Sequence, residues 1–380
     1  MISQDFPPDT GGIQTYSAAH AEHLASRCDW FGVVAPDSEG AHQLDPEFPY
    51  PVFRVPCRNE LLLFPLLFRL PGLLAQFKVD TVFHAQWQTV GASVLARRRG
   101  WKGSIQCAAH LRELLFNPYE KIPVVNRLFV RYRRYLLRCV DHFYPVSSYT
   151  RDQLIEEGVD AERLTIVPIG TDPDRFFPGR SDVLRRKLGL AGRRVMITIT
   201  RLVPRKGIDL VIRILPELLK DISDISYLIV GEGNDKDRLE RLATQLGLQK
   251  SVHFVGRISH DKVRDYYQLA DLFVMPSQTI EPDVEGAGIV FLEANACGLP
   301  VIGSDSGGIP SVIQDGETGF IVPEGDPDTL KQRIRELITQ PDLSAKMGKN
   351  GRLYVLNTGN WAFRSGELFT QMQAVSGNWT

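Results

Sequence analysis

From Val195 onward the chain alternates short, wholly apolar runs with longer runs whose apolar residues recur every three or four positions. "VMITIT", "SYLIV", "VHFVG", "LFVMPS", "LPVIGS" and "GFIVPEG" read as strands. Between them "KGIDLVIRILPELLKD", "NDKDRLERLATQLGL", the stretch from Asp261, the stretch after Gly286, a short piece near Ser311 and the stretch from Asp326 read as helices. Uniformly apolar strands separated by helices predict a parallel sheet covered on both faces, hence a doubly wound α/β domain. The first half repeats the theme less regularly, with strands expected at "FGVVAP", "TVFHAQ", "SIQCAAH", "HFYPVS" and "TIVPIG". A chain of this plan should begin with a full hydrophobic strand, yet only "MIS" precedes the glycine-rich "QDFPPDTGG".

Two such domains suit a chain of 380 residues, which is long for one core. Proline, glycine and aspartate crowd "PIGTDPDRFFPGRSD", so the boundary is expected between about Gly170 and Asp182. This divides the chain into 1–175 and 176–358. The last helix, "NWAFRSGELFTQMQAV" within 359–380, follows a break at "NTGN" and either packs on the second domain or crosses back to the first.

Composition narrows the function classes. Apolar content of 43% and charge of 23% belong to a soluble globular protein, and a net charge of −1 supplies no field that would draw nucleic acid. The five cysteines are odd in number and never form a C-x-x-C pair, which argues against a disulfide framework and a zinc site and fits a reducing, cytoplasmic setting. The opening "MISQDFPPDTGG" has neither the basic start nor the apolar run of a secretory signal.

The longest apolar run, "LLLFPLLFRLPGLLAQF" from Leu61, carries two prolines and an arginine and falls short of the roughly 20 residues of a membrane span. Together with "NRLFVRYRRYLLR", which holds Arg127, Arg131, Arg133, Arg134 and Arg138, it fits docking on an anionic membrane surface, at the inner face of the cytoplasmic membrane. A core helix and a solvated basic helix face explain the same residues equally well. His20 and His23 read as surface, and His84 in "HAQW" is a candidate for lining an acceptor cleft or for a structural role.

Ligand sites of open parallel sheets lie beyond the carboxyl ends of the strands. "RLVPRKG" after the first strand of the second half supplies Arg201, Arg205 and Lys206. "GEG" follows the next, and an acidic loop ending in "VEGAG" precedes a helix. Backbone N–H groups at Gly288 and Ile289, the helix dipole and the cations all favour an anion there. Asp283 and Glu285 on the same loop call for groups that donate hydroxyl hydrogens, a combination that a nucleotide sugar offers. Glu293, eight positions after Glu285, stands among Ile289, Val290, Phe291, Leu292, Ala294, Ala296 and Cys297, so its helix should be buried and its carboxylate should need a partner.

The ordered set "GGIQTY", "RLVPRKG", "GEG", "VHFVGRI", "DVEGAGIVFLEANACGLPVIGSDSGGIP" and "GETGFIVP" resembles the retaining glycosyltransferases of family four, whose signature is E-x7-E. The resemblance covers essentially the whole chain, is strongest from Arg201 to Pro323, and is closest in character to bacterial mannosyltransferases that use GDP-mannose on phosphatidylinositol mannosides. It implies the GT-B fold, two Rossmann-like doubly wound domains facing across a cleft, the first for the acceptor and the second for the nucleotide sugar. It implies transfer of a hexose, mannose from GDP-mannose in the leading reading, to a hydroxyl of a lipid or glycan.

By the same resemblance Glu293 would accept hydrogen bonds from the ribose, and Glu285 would hold hydroxyls of the donor sugar. Arg201 and Lys206 would clamp the diphosphate, with the backbone near Gly288, Ile289 and Val290 on the same phosphates. Ile258 would meet the base, while Gly11 and Gly12 would admit the diphosphate. His110, in "CAAHLRE", aligns with the histidine placed against the donor sugar, although the family's next residue, glycine, is Leu111 here. Neither a cofactor nor a metal is implied. A UDP-sugar donor for polysaccharide or lipid-linked glycan synthesis, a sugar-nucleotide epimerase and a non-catalytic binding protein remain alternatives.

Overall fold

The computed structural model describes residues 1–377 and forms two compact units, 1–169 with 361–377, and 170–360. The second unit is a six-stranded, all-parallel sheet. Its strands are β6 (Arg194–Ile199), β7 (Ile225–Val230), β8 (Val252–Gly256), β9 (Leu272–Met275), β10 (Val301–Ser304) and β11 (Gly319–Val322), in the spatial order β11-β10-β9-β6-β7-β8. β6, β7, β9 and β10 are buried almost throughout, which is why they carry no polar alternation. The helices Ile208–Asp221 and Pro327–Thr339 present Val211, Ile212, Leu215, Leu330 and Ile334 to one core with these strands.

The first unit is also parallel, with β1 (Val33–Pro36), β2 (Val52–Val55), β3 (Thr81–His84), β4 (Ser104–Ala109) and β5 (His142–Pro145). The short "MIS" lies between β1 and β3. Ile2 bridges both Val34 and His84, with Ile2 N–H on Phe83 at 2.8 Å and Ser3 N–H on Val34 at 3.0 Å. Strand β2 lies in "PVFRVP", which the apolar pattern did not single out, and the expected strand "TIVPIG" is reduced to two backbone bonds beside β5, Thr165 N–H to Phe143 at 3.1 Å and Val167 N–H to Pro145 at 3.0 Å.

Two expectations are overturned, at His20 and Arg133, and the alternative left open at His84 is decided. His20 is buried, not on the surface: the helix Gly12–Ala25 packs on the helix Trp361–Ser376, so that His20 Nδ1 meets Ser365 Oγ at 2.9 Å and the ring lies 5.4 Å from Trp361. Burial, with His110 and His23 nearby, holds His20 neutral with a pKa of about 3. His84 is fully buried between Thr89 (2.7 Å) and Ser93 (2.8 Å), a core histidine with both ring nitrogens bonded, so it lines no cleft. Arg133 turns inward, donating to the Leu114 carbonyl at 2.7 Å and to Glu157 at 2.5 Å, and leaves the basic helix face to its neighbours. Among the described residues no helix is long and apolar enough to cross a membrane.

Candidate active site

In the second unit the strand order reverses between β6 and β9, and the two loops leaving their carboxyl ends meet there. After β6 comes the single turn Pro204–Lys206, closed by Gly207. Gly207 has φ +65°, and a Cβ on it would fall 1.9 Å from the Pro276 carbonyl oxygen, so only glycine lets the β6 turn lie against the end of β9. After β9 the loop carries Asp283 and Glu285 to Gly288, which begins the helix Ile289–Ala296. Its backbone is held by Gly308 N–H on the Glu285 carbonyl at 2.8 Å, while a Cβ on Gly307 would sit 2.2 Å from that same oxygen.

This closure brings Glu285, Lys206 and Arg205 into one cluster. The Glu285 Oε2 accepts from Lys206 Nζ and from Arg205 Nη1, the latter at 2.5 Å, and Arg205 Nε also pairs with Asp283 at 2.9 Å. All but Asp283 are largely buried. Burial by itself would raise the Glu285 carboxyl, but the two cations and their hydrogen bonds outweigh it and hold its pKa at about 2. Burial, reinforced by Arg205, pushes the Lys206 ammonium below its ordinary value despite Glu285. The result is a desolvated ion cluster beside a helix start whose first backbone N–H groups, at Ile289 and Val290, have no intrahelical acceptor by geometry. Such a place favours a phosphate against the cations and hydroxyl hydrogens against the carboxylates.

Glu293 lies in the same helix, buried. Its partner comes from far along the chain: the Tyr267 hydroxyl donates to Glu293 Oε2 at 3.0 Å. Burial lifts the Glu293 carboxyl to about 7 against that hydrogen bond and the charge of Arg175. Arg201 is exposed in the loop after β6, and Ile258 is half-buried after β8. The structure thus groups Lys206, Glu285 and the Gly288–Val290 segment directly. Arg205, one of the cations expected after this strand, joins them through Glu285, whereas nothing in the spacing of the sequence marks Tyr267.

In the first unit the strand order turns over between Ile2 and β3, and Asp5, beyond Ile2, bonds Gln86, beyond β3, at 2.7 Å. Gln14 donates to the other Asp5 oxygen at 3.0 Å, tying down the loop that ends at the exposed Gly11 and Gly12. His110 follows β4. Its Nε2–H donates to the Ala85 carbonyl at 3.0 Å, which leaves Nδ1 as the acceptor, and its ring meets Tyr16 edge-on at 4.4 Å. Burial holds the imidazole neutral, with a pKa of about 4. Leu111 takes φ +85°, a backbone conformation that a glycine adopts freely and a leucine rarely.

Comparison with known proteins places the chain. The model of Glycosyltransferase Family 4 matches residues 10–175, and that of Glycosyl transferases group 1 matches residues 181–354. A GDP-mannose-dependent alpha-(1-6)-phosphatidylinositol monomannoside mannosyltransferase of Mycolicibacterium smegmatis is 34% identical over 376 residues, 97% of this chain and 96% of that protein. The chain belongs to glycosyltransferase family 4. A Corynebacterium glutamicum relative, a GDP-mannose-dependent monoacylated alpha-(1-6)-phosphatidylinositol monomannoside mannosyltransferase, is 30% identical over 384 residues, covering 98% of this chain and 97% of its own.

The fold of this family 4 glycosyltransferase matches a Rickettsia africae glycosyltransferase with a TM-score of 0.80 at 19% identity, over 98% of each chain. It also matches the sucrose-phosphate synthase of Thermosynechococcus elongatus, with a TM-score of 0.77 at 23% identity over 99% of each. The glycosyltransferase is therefore of the GT-B class, with two Rossmann-like domains.

Proposed function

We propose that this glycosyltransferase moves mannose from GDP-mannose to a hydroxyl of a phosphatidylinositol mannoside, with retention of configuration and without a metal ion. The observation that carries the reading is the Lys206–Glu285–Arg205 cluster beside the start of the helix Ile289–Ala296, on a chain similar end to end to enzymes named for this donor and acceptor.

In this reading Lys206, Arg205 and Arg201 take the diphosphate, together with the backbone of Gly288, Ile289 and Val290. Their charge stabilises the leaving group as the glycosidic bond breaks. Glu285 holds hydroxyls of the mannose, Glu293 the ribose, and Ile258 the base. His110, Gly11 and Gly12 keep the roles that the resemblance implies for them on the donor. The acceptor oxygen forms its bond to the anomeric carbon on the face that the diphosphate leaves, and its proton passes to the departing GDP. This route makes no use of the paired carboxylates of glycosidases.

The lipid acceptor fits a peripheral membrane face on the first unit, cytoplasmic in orientation. Phe64 and Phe68 on the helix Leu63–Gln76 and Val124 and Leu128 on the helix Pro123–Cys139 are exposed, and so are Arg127, Arg131, Arg134 and Arg138. Large exposed apolar groups together with guanidinium groups suit anionic headgroups over acyl chains.

Calorimetric titration with GDP-mannose, GDP, UDP-glucose and UDP, followed by transfer of labelled mannose to phosphatidylinositol mannosides, tests the reading. Binding confined to the guanosine series and label in the lipid support it. Binding of the uridine series instead overturns the donor, and lipid left unlabelled overturns the acceptor.

A further inference from the structure

The end of β4 holds a buried carboxylate to which the proposed chemistry assigns no work. Glu113 is 7% exposed, and its Oε1 accepts the backbone N–H of His110 at 2.6 Å. Its own backbone carbonyl accepts the Trp87 indole N–H at 2.9 Å, and Leu114 N–H returns to the Leu111 carbonyl at 2.8 Å, so the short turn is bonded on every side.

Between His110 and Glu113 stands Leu111, with φ +85° and ψ −58° and no exposed surface. A bulky residue with positive φ carries a conformational cost and persists only where its surroundings over-determine it. Burial of the leucine side chain offsets part of that cost. The Glu113 hydrogen bond fixes the direction in which the chain turns, and hence where His110 leaves the strand.

The second oxygen is the telling one. Among the described residues Glu113 Oε2 is buried without a hydrogen-bond partner, and burial, with Asp5 nearby, pushes the carboxyl up to about 7 against the His110 hydrogen bond. A buried carboxyl with a bare oxygen is a poor choice for stability alone, since an apolar residue there would avoid the desolvation.

We infer that Glu113 is a positioning residue for His110, holding the strained His110–Leu111 turn so that the imidazole keeps its bond to Ala85 and presents Nδ1 in one direction. The inference rests on the role proposed above for His110. It requires the acceptor oxygen at that position and not the negative charge. Glutamine therefore serves in its place, whereas aspartate, one methylene short, does not reach.

Turnover per donor-binding site, donor affinity and melting temperature of the full chain test this for E113Q, E113D, E113A and H110A. E113Q is expected within about threefold of the parent in kcat. E113D and E113A are expected to fall at least tenfold in kcat with donor affinity unchanged, since small misplacements at a reacting centre are costly. Should E113A not fold, E113D against E113Q decides. Unchanged kcat in a folded E113D or E113A, or a fall in kcat matched by an equal fall in binding sites, overturns the inference alone if H110A is inactive. Full turnover in H110A overturns the reading of His110 and the inference with it.

Discussion

Glu285 Oε2 accepts from Arg205 at 2.5 Å and from Lys206 as well, although these residues lie about 80 positions apart in the chain. One carboxylate oxygen thereby sets the spacing of two cations beside the first turn of the helix Ile289–Ala296. Each part of this cluster has a measurable consequence.

Lys206→Ala removes a buried cation from the place where phosphate charge develops. Turnover is expected to drop at least a hundredfold, on the order of the roughly 3 kcal/mol given by one preorganised charge-stabilising group. Steady-state kcat checks it, and an undiminished value takes Lys206 out of the site. Chelation by EDTA is expected to leave the parent's turnover unchanged, because the cations stand where another active site would use a metal.

Glu285 has a folded pKa of about 2 against an ordinary 4.5. A depressed carboxylate contributes stability that is fully present above the unfolded value and lost as pH falls through the folded one. The shift corresponds to about 3 kcal/mol at neutral pH. The stability difference between the parent and E285Q should therefore shrink as pH is lowered from about 4.5 to about 2, measured by denaturant unfolding at a series of pH values. A difference constant across that range contradicts the ion cluster.

Glu293 carries the opposite sign. Its folded pKa of about 7 lies above 4.5, so the buried carboxyl costs stability that grows as pH rises from 4.5 and is fully felt above 7. E293Q should melt higher than the parent at pH 8 yet bind the donor more weakly. Hydroxyl donors prefer the ionised carboxylate, so parent affinity for GDP-mannose, whose esterified diphosphate does not titrate in this range, should rise between pH 6 and 8, and that of E293Q should not. Titration calorimetry at three pH values distinguishes the two.

Gly307 has φ +54°, and a Cβ there would meet the Glu285 carbonyl. G307A is expected to push the Glu285 loop outward and lower donor affinity at least tenfold while the sheet remains folded. Retained affinity in a folded variant shows that the loop is not held by this approach.

Vesicle co-sedimentation addresses the exposed apolar and basic face. Binding to vesicles containing phosphatidylinositol should weaken with added salt and be lost on replacing Phe68 and Leu128 by aspartate, with calorimetric donor binding unchanged. Equal binding to neutral vesicles argues against the arginines.

The second unit was legible in the sequence because its strands are buried on both faces and its helices are amphipathic, so local pattern and tertiary position agree. Lys206, Glu285 and the glycine-rich helix start were legible for a related reason: residues just beyond a strand's carboxyl end are placed by the strand itself. Their mutual pairing was not, since β6 and β9 become neighbours only when the sheet assembles. Tertiary structure alone supplied Tyr267 as the partner of Glu293, and it paired His20 with Ser365 across 345 positions. It also turned His84 and Arg133 inward, because a single histidine or arginine in an apolar setting looks the same whether it faces a cleft or a core. Ile2 shows the limit most simply. Three residues carry too little pattern to announce a strand, yet two neighbouring strands with unpaired backbone edges supply the ladder that holds them.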